Sequence, residues 1–101
     1  MKIDKKYSVS EKVWKSGGKA AWYFVGIPKN ISEEIKFFSS DSRCGWGSVR
    51  VNIKMDNIEW QTSVFPDSKM GIYLLPLKAS VRKKEKIQVG DDIIFTLNLL
   101  E

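Results

Sequence analysis

The chain has 101 residues, 43% hydrophobic and 29% charged, which is globular composition and enough for one domain spanning 1–101. It has no His and a single Cys, Cys44. That excludes the common zinc sites, haem attachment, Ser-His-Asp and Cys-His mechanisms, and an internal disulfide. The net charge of +5 is clustered: +4 over residues 1–20, 0 over 21–77, +4 over 78–86 and −3 over 87–101.

In chain order, KYSVSEKVWK (6–15) alternates at Tyr7, Val9 and Val13 and predicts a strand, with Glu11 out of pattern. SGGK (16–19) predicts a turn. AAWYFVGIP (20–28) is a continuous apolar run of strand length, which predicts a strand buried on both faces and stopped by Pro28. NISEEIKFFS (30–39) predicts a helix. Asn30 serves as its cap, Glu33 and Glu34 lie in the first turn, and Ile31, Ile35 and Phe38 share one face.

SVRVNIKM and IEWQTSV predict a hairpin over 48–65. Val49, Val51, Ile53 and Met55 alternate with polar residues, Asp56-Asn57 supplies the turn, and Ile58, Trp60, Thr62 and Val64 alternate on the return. Pro66 is expected to close that strand. GIYLLPL (71–77) predicts a further strand whose Pro76 lies at an edge or bulge. KASVRKKEK (78–86) predicts a short helix with Ala79 and Val81 packed. Val89-Gly90-Asp91 predicts a turn, and DIIFTLNLL a last strand with Ile93, Phe95, Leu97 and Leu99 on one face. The expected fold is mainly β: a closed or double-split β-barrel of five to seven strands with two short helices.

No apolar run approaches the ~20 residues of a membrane helix. The opening MKIDKKYSVSEK lacks the apolar stretch of a secretory signal. With a lone cysteine, these features predict a cytoplasmic protein without a membrane partner. Neither a metal nor another cofactor is implied.

Lys78 and Arg82 stand four residues apart, so a helix would project them from one face. Arg82 offers a planar fork for phosphate or carboxylate and Lys78 a point charge. The competing reading is a solvated helix face. Arg43 and Trp46 flank Cys44 in RCGWG (43–47), which reads as a glycine-flanked site or as a bulged strand entrance. WQTSVFP (60–66) puts the hydroxyls of Thr62 and Ser63 on opposite faces of a strand. Trp22, Trp46 and Trp60 are candidates to line an aromatic site, against the plainer reading that they fill the core.

WYFVGIP, a Ser/Glu-rich helix, RCGWGSVRV, WQTSVFP, YLLPLKASVRK and VGDDI occur in this order. The chain resembles the family called domain of unknown function 1905 over about residues 5 to 100. The resemblance implies a small split β-barrel closed within one chain and no established reaction. Its pattern covers Trp22, Arg43, Gly45, Thr62, Ser63, Pro76, Lys78, Arg82, Gly90 and Asp91. Some members carry a second, C-terminal domain associated with bacteriocin protection, which a chain ending at Glu101 is expected to lack.

Three functions from different classes follow. The first is a non-catalytic binding module in which Arg43, Lys78 and Arg82 hold a small anion or a protein partner's anionic group, with Thr62 or Ser63 donating hydrogen bonds. The second is a nucleic-acid-binding barrel using segments 1–20 and 78–86, which requires both on one continuous face. The third and most distant is a hydrolase with Ser63 as nucleophile and Lys78 as base. A barrel complete in one chain favours a monomer over a dimer.

Overall fold

The computed structural model describes residues 6–16, 22–38 and 47–100. Six strands and two helices follow one another: β1 (Lys6–Lys15), β2 (Tyr23–Gly26), α1 (Lys29–Phe38), β3 (Val49–Lys54), β4 (Glu59–Asp67), β5 (Ile72–Leu77), α2 (Ala79–Glu85) and β6 (Asp92–Leu99). All neighbouring strands are antiparallel and close in the order β1-β2-β5-β4-β3-β6. The mainly-β barrel with two short helices is thus the observed fold, and closure leaves no free sheet edge.

Two strands each serve two neighbours in succession. β1 pairs with β6 through Lys6–Lys12 and with β2 through Val13–Lys15. β4 pairs with β3 through Glu59–Val64 and with β5 through Phe65–Asp67. The β5 ladder to β4 ends at Leu74, so Pro76, which has no N–H to donate, sits beyond it.

The interior is filled by one face of each strand. Val9, Val13, Val25, Val51, Ile53, Val64, Leu75 and Leu97 are each less than 2% exposed, which is what period-two alternation around a barrel produces. α1 closes one end with Ile31 and Ile35, and α2 the other with Val81, followed by Ile87. Ser32 fixes α1 in place. Its buried hydroxyl donates to the Ile27 carbonyl and accepts the Tyr73 N–H, both at 3.0 Å. Among the described residues no helix is long and apolar enough to cross a membrane.

Several local expectations need correction. β2 is not buried on both faces: Val25 points inward, but Phe24 is half-buried and Trp22 exposed. The first helix begins at Lys29, so Asn30 lies inside it and does not cap it, and no acid occupies its first turn. Ser32 donates its N–H to the Pro28 carbonyl, which starts the helix two residues earlier than a side-chain cap at Asn30 would. Phe38 is part-exposed at the end of that helix and meets Phe37 edge-on, outside the buried core. β4 runs through Pro66 to Asp67. In α2 only Val81 is buried, and Ala79 is exposed. Residues 17–19 of the expected turn, and Arg43, Cys44 and Trp46, lie outside the described residues.

Candidate functional site

The site begins where β5 runs into α2. Lys78 keeps extended backbone (φ −71°, ψ 159°) and has no side-chain cap bond. Its carbonyl accepts the N–H groups of Val81 and Arg82, both at 3.1 Å. Burial of Val81 then fixes the rotation of the helix and turns Arg82 back over the barrel rim. Arg82 Nε donates to the Leu77 carbonyl at 3.1 Å. Its guanidinium carbon stands 3.7 Å from the centre of the Tyr23 ring, a close cation–π contact.

Tyr23 is held between two strands, opposite Leu77 on β5 and Lys15 on β1. The Lys15 ammonium approaches the same ring at 5.8 Å from its centre. One aromatic ring therefore gathers a cation from each of the two basic segments. Among the described residues no carboxylate pairs with either cation, and Arg82 bonds only through Nε.

Aromatic side chains border this rim on the outer wall. Trp14 lies directly opposite Phe24, and Phe24 opposite Pro76. Trp22 follows on the same face, its ring centre 5.2 Å from that of Phe24 at an interplanar angle of 42°. Trp14 is 54% exposed and Trp22 43%, so these are surface aromatics rather than core. The β2–β5 ladder ends at Tyr23↔Leu77, and exposed Lys78 follows Leu77 directly as the chain leaves the sheet for α2. Lys78 thus stands at the end of β5, next in sequence to the partner of Tyr23, and Arg82 lies on the rim over that ring.

The other predicted residues are dispersed. Thr62 is paired with buried Val51 and Trp60 with buried Ile53, so both point inward, and Trp60 packs against the core. Ser63 points outward beside Arg50, whose Nη1 donates to Ser63 Oγ at 3.4 Å. Among the described residues, neither hydroxyl bonds Lys78 or Arg82. Arg43 and Trp46 lie outside the described residues.

Trp14, Lys15, Tyr23 and Phe24 escaped the sequence reading. For Trp14 the signal was present: Val9 and Val13 point inward, and strand parity sends Trp14 out.

Concavities among the described residues lie elsewhere. One, about 500 Å³, runs over the outside of β1, β6 and β3. Its Lys6 and Lys54 are balanced by Asp56 and Glu59, and Glu59 already accepts Asn52 Nδ2 at 2.7 Å. A second, about 450 Å³, lies between α1 and the β4–β5 turn and holds Glu33 and Asp67 against Lys36. The third, about 430 Å³, is acidic, with Asp56, Glu85, Asp91 and Asp92 against Lys86. None favours an anion as the Tyr23 rim does.

No curated protein matches the chain. The family model described as Domain of unknown function (DUF1905) matches residues 10–97, a span that takes in every strand of the barrel except the start of β1 and the last residues of β6, together with the whole Tyr23 rim. The chain therefore belongs to this family of unknown function.

Proposed function

We propose that the protein is a non-catalytic binding module for an anionic group, held at the α2 end of the barrel by Arg82, Lys15 and Lys78. The observation that carries this reading is the Tyr23 ring, which brings together cations from segments separated by more than sixty positions. Holding unpaired cations together costs Coulomb energy, and a bound anion relieves it. Arg82 suits the role because its stem is half-buried and its fork oriented, so little further ordering accompanies binding. Within this proposal the setting is the cytoplasm and the working form a monomer, as the lone Cys44 and the closed single-chain barrel suggest.

The test is thermal unfolding followed by Trp fluorescence in phosphate, sulfate and citrate. A ligand at 100 times its Kd stabilises by about 2.7 kcal/mol, which raises the midpoint of a domain this size by several degrees. The rise should vanish in Arg82→Leu. A flat response to every anion in the wild-type protein overturns the proposal.

A further inference from the structure

The aromatic wall has no work in a site that takes only a small anion. Trp14, Phe24 and Trp22 form a contiguous outward row on β1 and β2. Two of the three are large side chains left more than two-fifths exposed, although burial of such rings is strongly favourable. Cations border the row: Lys15 and Arg82 at the Tyr23 ring, and Lys78 next along the chain from Leu77, the partner of Tyr23. Flat π-faces bordered by cations match one class of ligand in their chemistry.

We infer that this wall binds single-stranded nucleic acid, two or three bases stacking on Trp14, Phe24 and Trp22 while the connecting phosphates lie against Lys78, Lys15 and Arg82. The inference rests on the anion-binding reading and names its ligand. A single strand fits where a duplex does not, because stacking on a side chain needs an unpaired base face. The expected preference is for base-bearing strands of any sequence, since each base has a π-face and no amide or carboxylate side chain stands in the row to read an edge.

The experiment titrates the protein with a twelve-residue oligothymidylate, an abasic strand of the same phosphate count, a duplex of equal length and inorganic phosphate. Trp fluorescence reports binding, and sedimentation velocity reports the assembly state. The oligothymidylate should quench fluorescence and bind about ten-fold or more tighter than the abasic strand, the stacking contribution of about one base. Trp14→Ala should weaken it by a similar factor without altering the salt slope. Arg82→Leu should lower that slope, which for three phosphate contacts is near −2. Trp14 is exposed, so its variant should retain the wild-type melting profile.

Equal affinity for abasic strand and oligothymidylate overturns the stacking inference and leaves anion binding standing. Binding to the duplex as tight as to the single strand also overturns it. Response to none of the four ligands overturns both readings. A dimer that Trp14→Glu dissociates, with no binding of the oligothymidylate, shows that the wall is covered by a second copy and overturns the inference.

Discussion

Arg82 and Tyr23 form the contact that decides how the basic helix is presented, with the guanidinium carbon 3.7 Å from the ring centre. Such a contact contributes about 0.5–2 kcal/mol, and the Arg82 bond to the Leu77 carbonyl adds to it. Arg82→Leu should therefore destabilise the fold by about 1–2 kcal/mol besides removing anion response. Arg82→Lys keeps the charge but loses the fork, and should recover only part of either effect. Urea unfolding of the three proteins checks this. A Leu variant more stable than wild type would make Arg82 a strained binding residue with no share in the fold.

Ser32 supplies the second prediction. Its hydroxyl joins the Ile27 carbonyl to the Tyr73 N–H in a buried position. Ser32→Ala leaves two buried backbone groups without that partner, a loss of about 1–3 kcal/mol. The Tyr73 amide should also exchange with deuterium faster than in wild type. Unchanged exchange there would mean that α1 is held by Ile31 and Ile35 alone.

Lys86 gives a prediction of opposite sign. It ends α2 with left-handed backbone, φ 54°, while its own N–H donates to Lys83 and that of Ile87 to Arg82. This is the Schellman arrangement, in which glycine is preferred. A non-glycine residue there costs about 1 kcal/mol, so Lys86→Gly should raise the unfolding midpoint by several degrees. Anion affinity should stay unchanged, because Lys86 is not among the cations at Tyr23.

Tyr7 gives a pH dependence. Burial, the hydrogen bond to Glu34 at 3.1 Å and that carboxylate's charge push its phenol up to about 12 from 10.0. The folded protein thus keeps the proton where the unfolded chain releases it. The associated stability is complete below pH 10 and is lost as pH rises towards 12. Wild type should lose stability more steeply than Tyr7→Phe across that window, measured by urea midpoints. Parallel curves would show that the phenol does not titrate differently in the two states.

The β3–β4 hairpin and β6 were readable because each strand turns one face to the core and the other to water, which writes period two into the chain. β2 was harder to read. Trp22 and Phe24 point outward yet are as apolar as buried Val25, so alternation vanished and the strand looked buried on both sides. The start of α1 was misplaced because Asn30 resembles a cap, whereas the Pro28 carbonyl accepts the first helical bond. At the candidate site, Lys78 and Arg82 could be picked out by residue type alone. Tyr23 and Lys15 could not, since what joins them to Arg82 is the pairing of three strands distant in sequence.

Because β1 and β4 pass from one set of partners to the other midway along their length, the barrel is built like a folded sheet with two creases. One crease lies between Lys12 and Val13 and the other between Val64 and Phe65. Trp14, Lys15, Trp22, Tyr23, Phe24, Lys78 and Arg82 all lie on the same side of these creases or on the helix that follows it. The spacing of these side chains is therefore set by the β1–β2–β5 pairing and the helix that follows it, and not by the β3–β4 hairpin.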